Sequence, residues 1–561
     1  MQLAQILEAV PVIRWDGDRT LSVRGLAYDS RQIEPGFLFA AVHGERLDGN
    51  DYVDQAFDRG AVAVLSSRPA PARPRGVWVQ VEDDRLALAM TARNYYGRPD
   101  ERLTMVGITG TNGKTTVAFL VEAILREAGL RPALLGTVLY RFDRDETRAA
   151  RTTPESLDLY RLIDRYATAG ARSCAMEVSS HALALQRVAG ITWRAAVFTN
   201  LSQDHLDFHR TMEEYFEAKL RLFRGLPESA AAIVNADDPR ADAVRAATRA
   251  RVVTFGGDPS ADVRIAEVRA TSRGTEVGLR VATTPGGGAA TAGLLLRVRS
   301  PLLGRPNASN LAAAAAVGTA IGIPFDAITR GLETVTGING RFERVETGQP
   351  YDVLVDYAHT DDALRSLLRA VRELGPRRIV TVFGCGGDRD RSKRPLMGFA
   401  AAEHSDLVVV TSDNPRSEDP ERIIADILPG VRRALSDPDR CLVIPDRREA
   451  IRKALALAGA GDCVVIAGKG HETYQILGDR TVPFDDREVV REILRDRGAN
   501  GGGTSGPGLP EGGPRGGLQA RGLAGGHFAG RPPAGDTPEG RHLAIRGPEA
   551  RDRDGRGRAA R

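Results

Sequence analysis

Apolar residues along this chain gather in short runs that alternate with helical periods, and the alternation recurs in three blocks. Residues 1–98 carry the strand-like runs Ala61-Val-Ala-Val-Leu65 and Val77-Trp-Val-Gln-Val81 between Asp/Gly/Pro turns and helical stretches, which predicts a small α/β module. From 99 to 338 the runs Ser173-Cys-Ala-Met-Glu-Val178, Ala195-Ala-Val-Phe-Thr-Asn200 and Ala231-Ala-Ile-Val-Asn235 alternate with helical periods, the pattern of a mostly parallel sheet covered on both faces. The block 339–497 repeats the rhythm with Asp352-Val-Leu-Val-Asp356, Arg378-Ile-Val-Thr-Val-Phe383, Leu407-Val-Val-Val-Thr411 and Cys463-Val-Val-Ile-Ala467, and reads as a separate doubly wound domain. The expected fold is therefore α/β, with a small N-terminal domain, a central doubly wound sheet and a C-terminal Rossmann-like domain. From 498 to 561 the chain turns to Gly, Pro, Arg and Ala with hardly an aromatic, and cannot bury enough apolar surface to offset its own ordering; this tail is expected to be disordered.

Composition adds limits. With 561 residues, 42% hydrophobic and 27% charged, the chain has material for several cores. Ten arginines against six acids from residue 498 onward account for all of the formal charge of +4, so the body is neutral and a broad nucleic-acid footprint is not expected. Cys174, Cys385, Cys441 and Cys463 are too widely spaced for a zinc ribbon or disulfide framework. The N-terminus lacks a basic region followed by an apolar block, and the longest apolar stretch, residues 311–323, is too short to span a bilayer. A cytoplasmic protein without a membrane span is expected.

Chemistry enters at Gly110-Thr-Asn-Gly-Lys-Thr-Thr116, which follows the apolar run Leu103–Ile108 and precedes the helical run Val117–Leu125. Strand, glycine loop and helix N-terminus together place backbone N–H groups around a polyphosphate, with Lys114 reaching its β- and γ-phosphates and the Thr115 hydroxyl on Mg²⁺. Ile108 stands where the strict eight-residue phosphate loop has its first glycine. Glu177, leaving a predicted strand beside that loop, is a reasonable Mg²⁺ ligand or a helix cap. In Thr199-Asn-Leu-Ser-Gln-Asp-His-Leu-Asp-Phe-His209, two histidines and two aspartates follow another strand, and His205 is the favoured metal ligand. Lys219, on an amphipathic helical run, reads by itself as an ordinary surface lysine, and Asn307 or Asn310 as the cap of an alanine-rich helix. Asp413-Asn-Pro-Arg416 alone is a turn with an exposed arginine.

The short loop G-T-N-G-K-[ST]-T resembles the ATP loop of the Mur ligase family, and N-L-x-x-D-H-L-D-x-H over residues 200–209, G-R-F-E at 340–343 and Asp356-Tyr-Ala-His359 are similar to further elements of it. Matches run in order from about Ser30 to Glu472. The resemblance implies ATP bound by residues 110–116, Asn310, Asp356 and His359, with Arg341 on the γ-phosphate. It assigns His205 to a second Mg²⁺ and implies that Lys219 is carbamylated and joins it there. It also implies that Ser30, Thr152, Thr153, Ser179 and Arg187 hold a UDP-muramyl substrate. The D-N-P-R element marks the MurE-type members that select meso-diaminopimelate, so Asp413, Asn414, Pro415 and Arg416 with Arg389, Gly468 and Glu472 would form the amino-acid pocket. Arg416 would bind the distal carboxylate in a bidentate way, which an L-lysine substrate could not engage. The expectation is a monomeric ligase adding meso-diaminopimelate to UDP-N-acetylmuramoyl-L-alanyl-D-glutamate at the expense of ATP. Arg151, Pro306 and Asp361 depart from the family pattern. The rivals are an L-lysine ligase, a folylpolyglutamate synthetase, disfavoured by Thr115-Thr116, and a nucleotide-dependent switch.

Overall fold

Three sheets built around parallel strands and a two-stranded antiparallel hairpin, Tyr474–Leu477 with Arg480–Pro483, organise residues 1–44, 47–271, 274–282 and 293–501, the part of the chain that this computed structural model describes. Residues 502–561 of the predicted tail lie outside the described residues, as do Glu45 and Arg46. Asp486–Gly501 is helical, so the last helix continues past the expected end of the third block at 497.

The first sheet aligns Gly25–Ala27, Phe37–Ala41, Ala63–Ser66 and Val77–Val81 in parallel, with Val12–Asp16 antiparallel at the edge. The second has eleven strands. Its centre is parallel, with Thr104–Thr109 between Ser173–Glu177 and Trp193–Phe198. Both of its margins are antiparallel, which the run pattern did not predict: Leu139–Phe142 pairs with Asp145–Arg148 on one side, and Val263–Thr271, Gly274–Val281 and Leu294–Ser300 form a meander on the other. The meander alternates buried and exposed positions, as in Leu294–Ser300, because one face of a margin strand meets solvent. In the third sheet, Asp352–Asp356, Cys463–Ala467, Ile379–Phe383, Leu407–Val410 and Cys441–Val443 are parallel neighbours.

Burial on both faces explains the continuous apolar runs of the central strands. Val106, Ile108, Ala175 and Val197 pack under Val117, Leu120 and Ile124 of the helix Lys114–Glu127 and under the alanines of Arg305–Ala320. Met105, Met176, Ala196 and Phe198 face the opposite core with Tyr160, Phe216 and Phe223. Parallel strands with crossover helices deliver all their carboxyl ends to one edge. Glu177 consequently pairs in register with Ile108, and Phe198 with Thr109, so the loop at 110, the Glu177 carboxylate and the Asn200 turn emerge side by side. In the third sheet Asp356 pairs with Ala467 and Phe383 with Val410, which brings the loops beginning at 357, 384, 411 and 468 to its own carboxyl edge.

Candidate active site

Gly110 and Gly113 open the loop with φ of 141° and 86°. A Cβ on Gly110 would stand 1.9 Å from Thr199 Oγ1 and 3.1 Å from the Asn200 backbone, so glycine is required there for space as well as backbone angle, while at Gly113, where the nearest atom is the Asn310 side-chain oxygen at 2.5 Å, the left-handed backbone is what favours glycine. Gly113 is the N-cap of the helix that Lys114, Thr115 and Thr116 begin, which leaves the helix N-terminus facing the loop. Lys114 Nζ donates to Gly110 O at 3.0 Å and Thr111 O at 2.7 Å, and burial lowers its pKa. Asn112 N donates to Asn200 Oδ1 at 2.9 Å.

Glu177 is 1% exposed. Its carboxylate accepts from Thr115 Oγ1 at 3.1 Å, Thr137 N at 2.8 Å and Thr137 Oγ1 at 2.9 Å. A buried carboxylate surrounded by hydroxyls and an N–H, with no ion pair to a basic side chain among the described residues, suits a hard cation next to Thr115. No group of three or more His, Cys, Asp or Glu side chains poised for a metal occurs among the described residues.

Lys219 is also 1% exposed, which corrects the surface lysine that the helical period alone suggested. The helix Met212–Arg224 turns its Tyr215, Phe216, Leu220, Leu222 and Phe223 face inward, and Lys219 goes with it. Its Nζ donates to Gly110 O at 2.8 Å and lies 4.2 Å from the Tyr215 ring centre. Burial and the Lys114 charge push its pKa well below the usual lysine range. His205, in the left-handed region at φ 56°, is held near neutral imidazole chemistry by burial, which lowers its pKa strongly. Its Nε2 is 3.3 Å from Asp204 Oδ2. The same Asp204 meets His359 Nε2 at 3.5 Å and Lys393 Nζ at 3.8 Å, both from the third block. Burial works to raise the Asp204 pKa, and the His359 hydrogen bond with the neighbouring charges outweighs it.

The third block supplies the far wall. Arg341 Nη2 donates to Thr115 Oγ1 at 3.0 Å, its guanidinium lies 4.6 Å from the Tyr357 ring centre, and its Nε is buried without an acceptor, a donor suited to an anionic ligand. Asp356 accepts from Phe342 N at 2.6 Å and Ala358 N at 2.7 Å, with burial raising its pKa. Asn112 Nδ2 reaches Asp362 Oδ2 at 3.0 Å. Residues 111–116, Thr152, Glu177, Ser179, His205, Lys219, Asn310, Arg341, Asp356 and His359 all line one cavity of about 450 Å³. The helix Arg305–Ala320 starts at N-cap Gly304 with Pro306 in its first turn, so neither asparagine caps it: Asn307 Nδ2 donates to Leu303 O and Asn310 Nδ2 to Asn307 Oδ1.

Thr153, Arg187, Ser30 and the amino-acid pocket residues do not line this cavity. Thr153 Oγ1 donates to Glu177 O at 2.9 Å, and Arg187 pairs with Glu155 at 2.7 Å. Arg151, one of the departures from the family pattern, shares that Glu155 at 3.3 Å. Ser30 opens the short turn Ser30–Gln32 that follows the strand Gly25–Ala27, is buried, and donates to Gln55 Oε1 at 2.6 Å.

The pocket residues form a second cluster. Arg416 is held at φ 53° by its N–H to Ile476 O at 3.1 Å, and its Nη1 donates to Gly387 O at 2.7 Å. Such a backbone is uncommon for a non-glycine residue and persists only where surrounding contacts enforce it. Asn414 Nδ2 donates to Glu472 Oε2 at 2.7 Å, and the fully buried Lys469 Nζ donates to both Asn414 Oδ1 and Glu472 Oε2 at 3.1 Å. Asp413 and Gly468 are close neighbours across the sheet edge, with Pro415 between Asn414 and Arg416. Arg389 is half exposed and its Nη1 lies 3.5 Å from Asp207 of the central block. Sequence reasoning missed Lys469, Lys393, Asp362 and Tyr215. Lys469 lies inside the quoted Gly468–Glu472 segment, and Tyr215 shares the inward face of the Lys219 helix; nothing local marks the other two.

Comparison with known proteins finds three family models along the chain: the Mur ligase family catalytic domain over residues 22–96, the Mur ligase middle domain over 108–318, and the Mur ligase glutamate ligase domain over 340–470. The UDP-N-acetylmuramoyl-L-alanyl-D-glutamate–2,6-diaminopimelate ligase of Solibacter usitatus is 48% identical over 503 residues, covering 89% of this chain and 99% of the relative. Its namesake from Syntrophomonas wolfei is 44% identical, covering 89% and 100%. A solved structure of a ligase of that name superposes with a TM-score of 0.62 at 33% identity, covering 89% of this chain and 99% of the other.

Proposed function

The chain belongs to the Mur ligase family, and from that premise we propose that it is the ATP-dependent ligase that joins meso-diaminopimelate to the D-glutamate side-chain carboxylate of UDP-N-acetylmuramoyl-L-alanyl-D-glutamate, in peptidoglycan precursor synthesis. The observation that carries the reading is the meeting of Lys114, Thr115 and Glu177 with Arg341 of the third block on one cavity. A single phosphoryl group there would be contacted from both sides.

ATP binds along residues 110–116, where Lys114 exchanges its two backbone carbonyl partners for phosphate oxygens and Arg341 turns from Thr115 to the γ-phosphate. Asn310, beside Gly113, and Asp356 and His359 complete the nucleotide site. The substrate carboxylate oxygen attacks the γ-phosphorus, the bond to the β-phosphate oxygen breaks, and ADP leaves behind an acyl phosphate. The diaminopimelate amine then attacks the acyl carbon, phosphate departs with the carbon–oxygen bonding pair, and the nitrogen releases a proton as the amide forms. Thr115 and Glu177 would hold one Mg²⁺, and His205 with carbamylated Lys219 a second. Bound Mg²⁺ supplies neutralisation of phosphate charge. Carbamylation itself needs a neutral amine, which the buried setting of Lys219 next to Lys114 favours.

Thr152, Thr153, Ser179 and Arg187 are assigned to the muramyl dipeptide and Ser30 to the uridine end. Arg416, whose fork makes one side-chain hydrogen bond among the described residues, Nη1 to Gly387 O, is assigned to the distal carboxylate of diaminopimelate. Glu472 is assigned to the distal ammonium, and Asp413, Asn414, Pro415, Gly468 and Arg389 to the pocket around them. The divisions at 98/99 and 338/339 are proposed on the ground that each falls between elements of different sheets. Action as a monomer is proposed because one chain supplies both walls of the cavity. No helix among the described residues is long and apolar enough to cross a membrane, and a cytoplasmic site of action is proposed from the soluble nucleotide substrates.

The test is phosphate release by purified protein with ATP, Mg²⁺ and the UDP-muramyl dipeptide, comparing meso-diaminopimelate, L-lysine and no amino acid. Release that depends on diaminopimelate, with a tripeptide product of matching mass, is the expected result. Dependence on lysine rejects the role given to Arg416, and release without any amino acid points to a nucleotide switch.

A further inference from the structure

Arg447 and Asp486 are both 0% exposed in their side chains and form a two-pronged pair, Nε to Oδ1 at 2.8 Å and Nη2 to Oδ2 at 2.7 Å. Neither belongs to the cavity or to any residue assigned above. Arg447 opens the helix Arg447–Leu457, the end of a helix where the backbone dipole disfavours a cation, and Asp486 opens the last helix, Asp486–Gly501. A buried arginine at such a position violates a local preference, and violations of this kind mark a function served elsewhere.

The remaining protons of that guanidinium show what is served. Nη2 also donates to Ala467 O at 3.1 Å, and Nη1 approaches Ser412 O at 3.5 Å. Ala467 is the last residue before Gly468–Glu472, and Ser412 the last before Asp413–Arg416. One side chain thus touches the roots of both loops assigned to the amino acid. The loops are linked again at their tips, where Asn414 bonds Glu472 and Lys469 bonds both. The carboxylates of Asp413 and Glu472 act on Arg447 electrostatically as well, reinforcing its charged form against burial.

We propose that the Arg447–Asp486 pair is a positioning element for the amino-acid pocket, fixing the separation of the 413–416 and 468–472 loops so that Arg416 and Glu472 engage the distal carboxylate and ammonium of one diaminopimelate together. The inference rests on the assignment of those two loops to diaminopimelate. An ion pair deep in a protein costs stability relative to apolar packing unless it is fully hydrogen-bonded, and its retention is accounted for here by the geometry it imposes.

The test uses the full chain with Arg447→Lys, which keeps the charge and loses the fork, and Asp486→Asn, which keeps the volume and loses the charge. The KM for meso-diaminopimelate should rise about tenfold in each, as expected when a binding group is displaced by a fraction of an ångström, while the KM for ATP stays within about twofold. A merely structural pair would lower the melting temperature and the active fraction and leave every KM unchanged, because KM does not depend on how much enzyme is active. Unchanged diaminopimelate KM in Asp486→Asn, or an equal rise for ATP, overturns the proposal, and Asp486→Asn decides alone should Arg447→Lys fail to fold. Arg416→Ala run in parallel separates the two levels: if it raises the diaminopimelate KM and the pair variants do not, the positioning role fails. If Arg416→Ala also leaves that KM unchanged, the pocket assignment itself fails.

Discussion

An amine buried as fully as Lys219 must be paired, neutral or modified, since an isolated ammonium in a low-dielectric interior is costly. Its only hydrogen bond among the described residues is to Gly110 O, a neutral acceptor. Lys219→Ala should lower diaminopimelate-dependent phosphate release by ~10²-fold or more, the scale of losing an electrostatic group at a reacting phosphate, and added bicarbonate should not restore it. Full turnover in that variant would exclude the carbamate. His471 makes a pH prediction at the same scale. Burial, with the charges of Arg341, Arg148 and Arg487, pushes its pKa down to about 3 from an ordinary 6.5. The folded state therefore binds this proton less readily than the unfolded state, so the stability linked to the neutral ring is complete above about 6.5 and falls as pH drops toward 3. Urea midpoints at pH 7 and 5 should show the wild type losing stability with a slope of up to about 1.4 kcal/mol per pH unit from this site, and His471→Gln should flatten that dependence.

Strand, loop and helix form the unit around the nucleotide, and its tightest point is Gly110, where φ is 141° and a Cβ would overlap Thr199 Oγ1. Gly110→Ala should destabilise the protein by at least about 2 kcal/mol in urea unfolding and raise the KM for ATP, because the loop cannot keep its shape around an added carbon. The central strands were legible in the chain because burial on both faces makes them continuous apolar runs. The antiparallel margins were not: Val263–Thr271 and Leu294–Ser300 mix exposed arginines with apolar positions, and short alternating runs are easily read as loop. The start of the alanine-rich helix was misread for a related reason, since Pro306 in the first turn and Gly304 before it define the N-terminus without any side-chain cap.

Across the whole molecule, the cavity closes only where the third block reaches the second, through Arg341 to Thr115, Asp362 to Asn112, and His359 and Lys393 to Asp204. Relatives of 44–48% identity are matched over 99–100% of their length by 89% of this chain. Deleting residues 502–561 should therefore leave kcat and each KM within about twofold, the usual range for changes remote from a site. A larger loss would assign the segment a part in catalysis. The amino-acid sequence by itself marked the phosphate loop and the apolar runs of the central parallel strands, because each is written in contiguous residues, whereas the segments at 200–209, 340–343, 356–359 and 413–416 took their expected roles from a family resemblance. Only the tertiary structure decided that Lys219 is buried beside Gly110, that Asp204 gathers two groups from the third block, and that Arg447 joins the roots of two loops to Asp486. Those pairings span tens to hundreds of residues, and they arise because parallel strands bring distant carboxyl ends to one edge, a fact about the sheet that no local pattern records.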